Sequence, residues 1–71
     1  MNDKTYFNEK YNGIYDQVEQ RLQMTGLFPQ QSLVLIAENI LTELDGNLDL
    51  NDHETVLQQV DKYVEAVVHF K

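Results

Sequence analysis

The 71-residue sequence contains no cysteine, no tryptophan and only one proline. Without cysteine, neither disulfide bonds nor thiolate zinc sites can stabilise the chain. Its length is close to the lower limit for a domain that folds without such links. We therefore predict a single domain, residues 1–71, that depends on its hydrophobic core. The lack of cysteine also fits a reducing compartment.

Long apolar runs are missing as well. The longest, Leu33 to Ala37, has five residues, whereas a transmembrane helix needs about 18 or more. No cationic leader runs into an apolar stretch at the start of the chain. The sequence predicts a soluble cytoplasmic protein that keeps Met1 and has no membrane partner.

Positive charge is scarce and unevenly distributed. Twelve acidic residues against five basic ones give a net charge of −7. No Lys or Arg occurs from Leu22 to Asp61, and this segment holds seven carboxylates: Glu38, Glu43, Asp45, Asp49, Asp52, Glu54 and Asp61. So acidic a chain repels phosphate groups, which argues against direct binding to nucleic acid or anionic membranes. Such a charge is also ordinary for a small soluble domain, so solubility alone can account for it.

Apolar residues recur at helical spacing in the first third of the chain. Residues 3–24 carry the stripe Phe7, Tyr11, Ile14, Tyr15, Val18 and Leu22, which predicts one helix. The dipeptide Asn12-Gly13 is also a hairpin signal, but the flanking residues do not alternate as strands would require. A helix is therefore favoured, and a break at Gly13 is the alternative.

Two further stripes predict helices at about 30–44 and 52–70. The first contains Leu33, Ile36, Ala37, Ile40, Leu41 and Leu44; the second contains Val56, Leu57, Val60, Tyr63, Val64, Val67 and Phe70. We expect Asn51 to cap the last helix, with Glu54 three residues later. Leu35 falls on the side of its helix opposite the stripe, which indicates either deep burial or contact with another chain.

The predicted fold is all-α, a small antiparallel three-helix bundle with helices at about 3–24, 30–44 and 52–70. Short connections favour antiparallel neighbours. Burial of three stripes leaves a lone chain of this size little margin of stability. The alternative to a monomer is therefore a homodimer that Leu35, Val68 and an exposed tyrosine or two would complete.

The acidic run ELDGNLDLNDHE, residues 43–54, resembles a calcium-binding loop at first sight. Counted from Asp45, however, the glycine position of an EF-hand holds Leu50 and the final glutamate position holds Val56. A shifted frame places Leu48 at the glycine position. We therefore predict no metal site, and interpret the run as a helix end, a turn anchored by Leu48 and Leu50, and a helix start.

Groups suited to catalysis are few. His53 and His69 are sixteen residues apart and are expected to have no acidic partner at ligand spacing on the same helix face, and His53 is expected at the edge of the core. The single serine, Ser32, begins the run SLVLIAENILTEL, which is loosely similar to the modified helix of acyl carrier proteins. Gln31 stands where that family has aspartate, and its short intervening helix has no room here. We predict no enzyme activity and no cofactor.

The function predicted from the sequence is non-catalytic protein–protein interaction by a small acidic helical module. The candidate interaction residues are Leu35, Glu38, Glu43, Asp45, Asp49 and Asp52. Exposed helix faces of this kind can serve as partners for a groove or another helix. The alternative is an inhibitor that mimics nucleic acid and presents its carboxylates to a DNA- or RNA-binding protein.

Overall fold

The computed structural model describes residues 3–69, which contain four α-helices and no strand. The helices are α1, Asp3–Lys10; α2, Ile14–Thr25; α3, Gln30–Leu44; and α4, His53–His69. The predicted all-α class is confirmed, and α3 has the predicted bounds. Phe70, the last residue of the predicted third stripe, lies outside the described residues. Within residues 3–69, no helix is both long enough and apolar enough to cross a membrane.

The single helix predicted over residues 3–24 is wrong, because the chain turns between α1 and α2. Asn12 and Gly13 both have left-handed backbone conformations, with φ of 59° and 84°. The Gly13 N–H donates to the Asn8 carbonyl at 2.8 Å, which is the six-to-one hydrogen bond of a Schellman helix end with the left-handed Asn12 at C′. The Asn8 side chain then accepts a hydrogen bond from the Asp16 N–H at 3.1 Å. One asparagine thus helps to end α1 and to begin α2.

Helix α2 lies at the centre of the fold and packs against α1, α3 and α4. Its residues Ile14, Tyr15, Val18 and Leu22 are fully buried. The direction of α4 follows from two contacts: His53 meets Tyr11 at 2.7 Å, and Arg21 meets Asp61 at 3.4 Å. The later residue of one segment, Arg21, thus meets the later residue of the other, Asp61, so α2 and α4 run in the same direction.

Burial confirms the first two predicted apolar stripes, but only part of the third is buried. All six residues of the first stripe are buried, as are Leu33, Ala37, Ile40 and Leu41 of the second, with Ile36 and Leu44 packed against them. In α4 only Val56 and Val60 are buried. Beyond them Val64 is half-buried and Tyr63 is 40% exposed. The apolar stripe of α4 therefore extends past the part of the core that covers it.

Candidate functional site

The segment Asp45–Asp52, which we call the acidic connection, joins α3 to α4. Leu50 is 1% exposed, and Leu48 packs half-buried against the same core. The predicted turn anchored by these two leucines is confirmed. Gly46 has a φ of 92°, a conformation that most residues avoid. The acidic connection is therefore a fixed part of the fold.

Asp45 and Asp49 both accept hydrogen bonds from within the chain. The Tyr11 hydroxyl donates to Asp45 Oδ1 at 3.0 Å, across 34 residues of sequence. Asp49 Oδ1 accepts from the Asn51 N–H at 3.0 Å, which stabilises a local turn of the backbone. Both side chains are exposed all the same. Each carboxylate thus accepts a hydrogen bond within the chain and is also accessible to solvent.

Asp52, and not the predicted Asn51, caps α4. Its Oδ1 accepts the Thr55 N–H at 3.3 Å, and its Oδ2 accepts the Thr55 hydroxyl at 2.7 Å. These hydrogen bonds to Thr55 lower the pKa of Asp52 below its ordinary value of 3.8, the hydroxyl contributing most. Aspartate is among the strongest helix N-caps, so the prediction misplaced the cap by one residue.

Tyr11 and His53 connect the end of α1 to the start of α4. His53 Nε2 lies 2.7 Å from the Tyr11 carbonyl, and because a carbonyl can only accept, Nε2 must carry the hydrogen. His53 is half-buried, so its predicted place at the edge of the core is confirmed. The pKa of Tyr11 is raised, mainly by burial and then by the hydrogen bond to Asp45.

Lys10 lies beside two aromatic rings at the surface. Its Nζ donates to the Tyr6 hydroxyl at 3.0 Å and is 5.3 Å from the centres of the Tyr6 and Tyr11 rings. The hydrogen bonds to Tyr6 and then Tyr11 raise the pKa of Lys10 above its ordinary value. The ammonium stays charged at neutral pH, so it does not act as a base there.

The six candidate interaction residues lie on different parts of the surface. Asp45, Asp49 and Asp52 belong to the acidic connection. Leu35, which is 62% exposed, and the half-buried Glu38 lie one turn apart on α3. Glu43 is exposed near the end of that helix. Their role in partner binding stays a prediction.

Sequence reasoning missed three exposed apolar residues close to Leu35 in the chain. Met24 is 76% exposed, Leu27 is 47% exposed and Val34 is 42% exposed. With Leu35 they provide four exposed apolar side chains within twelve consecutive residues. The adjacent pair Leu27-Phe28, between a helix-ending glycine and Pro29, is the signal that could have drawn attention to this segment.

An open groove between α3 and α4 was missed as well. It encloses about 250 Å³ and is lined by Ile40, Glu43, Leu44, Gln59, Lys62 and Tyr63. Leu44 and Tyr63 provide accessible apolar surface, whereas Ile40 is only 7% exposed. Glu43 on α3 and Lys62 on α4 carry opposite charges. The groove depends on how α3 and α4 lie relative to each other, for which the sequence has no local signal.

Nothing among residues 3–69 assembles a metal centre, since no group of three or more His, Asp or Glu side chains could hold an ion. Ser32, the residue suggested by the carrier resemblance, is half-buried in the first turn of α3. No family model matches the chain, and comparisons with curated proteins and with solved structures give no match either. Geometry and charge are therefore the basis for a functional proposal.

Proposed function

We propose that this small acidic helical protein acts without catalysis, as a regulatory or accessory module that binds another protein. The observation that carries the proposal is the exposure of Leu35, 62%, on the outer side of α3. A single exposed leucine is ordinary on a soluble protein, so the proposal also draws on the exposed apolar residues that precede Leu35 in the chain. Met24, Leu27 and Val34 provide the further exposed apolar groups within the same stretch of chain.

The charge of the chain suggests the chemistry of the partner. Leu35 is part of the segment from Leu22 to Asp61, which has seven carboxylates and neither Lys nor Arg. A partner with an apolar contact surrounded by Lys or Arg side chains would complement it. Apolar contact then supplies affinity, and the opposite charges accelerate association.

Affinity capture from the native host, with quantitative mass spectrometry, tests the proposal. Tagged wild type is compared with Leu35→Glu and with Gln58→Glu, which adds the same charge at an exposed position of α4. We expect a protein that wild type and Gln58→Glu retain and Leu35→Glu loses. Equal recovery of every captured protein by all three chains would refute Leu35 as the contact.

Mimicry of nucleic acid is the second candidate function. It is favoured by the same forty residues without Lys or Arg, and by the fixed positions of Asp45, Asp49 and Asp52, whose hydrogen bonds lie within the chain. Salt distinguishes the two candidates. Affinity for the captured partner should change little from low to physiological salt if an apolar contact dominates, whereas a steep fall would indicate mimicry.

We further propose that the protein is cytoplasmic, and that a homodimer completes the bundle of helices. The uncovered part of the α4 stripe supports the dimer, because a second chain can bury it. Light scattering should give a mass twice that of the 8.3 kDa chain. A mass of one chain at every concentration would refute the dimer.

A further inference from the structure

The groove between α3 and α4 is lined by one acidic and one basic side chain, so it can complement the same groove of a second chain. Glu43 and Lys62 are both exposed, and they line one groove from different helices, together with the apolar side chains of Leu44 and Tyr63. A twofold axis through such a groove would bring Glu43 of each chain to Lys62 of the other, since a twofold interface pairs residues reciprocally. The surface is therefore complementary to a second copy of itself.

Lys62 differs from the other described cations in having no partner. Lys4 pairs with Asp16 at 3.6 Å, Arg21 pairs with Asp61 at 3.4 Å, and Lys10 bonds Tyr6. Lys62 makes no hydrogen bond or ion pair within residues 3–69. It is also the one Lys or Arg between Leu22 and His69, so it is the cation available to a carboxylate near the groove.

The end of α4 is the part of this helix best suited to contact a second acidic chain. From Lys62 to His69 the charges of Lys62 and Glu65 cancel when histidine is neutral. The preceding carboxylates, by contrast, would repel their own copies, because like charges brought together at an interface are costly. Tyr63 and Val68 add apolar area there, at 40% and 48% exposure.

The surface that a homodimer must bury on each chain is a small fraction of the surface of this protein. A weak but specific dimer buries roughly 600 Å² on each chain, which is about an eighth of the 4888 Å² surface. The groove and the last turns of α4 together provide an apolar centre with a charged margin, which is the usual anatomy of an interface.

We propose that the α3–α4 groove is the homodimer interface, in which Leu44 and Tyr63 form the centre and Glu43 of each chain pairs with Lys62 of the other. This assignment rests on the proposed homodimer and specifies its surface. It differs from the sequence-based prediction by leaving out Leu35, whereas Val68 and an exposed tyrosine belong to both. Leu35 is thereby left available to a different protein.

Sedimentation velocity across a concentration series tests the assignment with two single variants and their mixture. Lys62→Glu and Glu43→Lys should each weaken dimerisation by about tenfold, because each creates two like-charge contacts per dimer. An equimolar mixture of the two should dimerise again, since every contact then joins opposite charges. Pairing within one chain cannot produce this recovery.

Two controls change charge or apolar area elsewhere. Glu54→Lys, at an exposed position in the first turn of α4, and Leu35→Glu should both dimerise like wild type. A dimer that both groove variants retain, or that Leu35→Glu disrupts, would overturn this surface but leave the homodimer intact. Monomeric wild type at every concentration would overturn the homodimer and its surface together.

Discussion

The two connections Tyr11–Gly13 and Asp45–Asp52 turn the chain by different physical means. The first has three residues, and its turn depends on the left-handed backbone of Asn12 and Gly13. The second has eight residues, including the left-handed Gly46, and is held mainly by side chains: the buried Leu50, and the carboxylates of Asp45, Asp49 and Asp52. The short connection changes direction at two left-handed residues and shares the Tyr11–Asp45 hydrogen bond with the longer one. The longer connection has further side-chain anchors.

This difference determines which substitutions each connection tolerates. In Tyr11–Gly13, an added Cβ at Gly13 would meet no atom within 4 Å, so its cost comes from φ alone. In the acidic connection, the sensitive groups are the atoms of side chains that reach the core or the backbone. Four substitutions can test the contrast, beginning with the largest expected effect.

Leu50→Ala should be the most destabilising of the four. The side chain is 1% exposed, and its truncation leaves a cavity in a packed core, which costs about 2–5 kcal/mol. Urea unfolding measures the change in the free energy of unfolding. Leu48→Ala, at a half-buried position, should cost less. Equal losses would mean that the acidic connection is not anchored mainly by Leu50.

Gly13→Ala should destabilise the fold by about 1–2 kcal/mol, because a residue with a Cβ is strained at a φ of 84°. The sign of the effect is decisive. In one continuous helix the same substitution would stabilise the protein by about 1 kcal/mol. Urea unfolding measures the sign and so distinguishes a chain that turns at Gly13 from one continuous helix. Gln17→Ala, at an exposed position within α2, is the control for adding alanine to a helix.

Asp52→Asn should lower the melting temperature at neutral pH and lose its effect in acid. Asparagine still caps a helix, so the difference isolates the charge. Since the pKa of Asp52 is lowered in the folded state, its charge stabilises the fold above pH 3.8, and this contribution disappears as the pH falls through the lowered pKa. Melting curves of both chains at neutral and acid pH provide the test. A difference independent of pH would contradict the role of the charge.

Tyr11→Phe should have the smallest effect, because it keeps the ring and removes only the hydroxyl that donates to Asp45. The raised pKa of Tyr11 means that its protonated form is favoured by folding. The advantage of wild type over Tyr11→Phe should therefore decline as the pH rises above the ordinary value of 10.0. Melting curves from neutral to alkaline pH measure it. An advantage that grows with pH would contradict the hydrogen bond.

Sequence periodicity predicted the positions of buried residues better than it predicted backbone continuity. Phe7, Tyr11 and Ile14 keep helical spacing across the turn because α1 and α2 both face the core, so the pattern does not register the change in φ. The cap of α4 was misplaced because Asn51 and Asp52 can both cap a helix. Neither the contact of Tyr11 with Asp45 nor that with His53 has a local signal, since 34 and 42 residues separate the partners.

These two contacts also bear on the order in which the chain acquires its structure. During synthesis α1 is made before α2, α3 and α4, yet the Tyr11 carbonyl just after it meets its partner only when His53, 42 residues later, has been made. A helix of eight residues is too short to persist alone in water. We expect the first helix to form among the last, once the ribosome has released most of the chain.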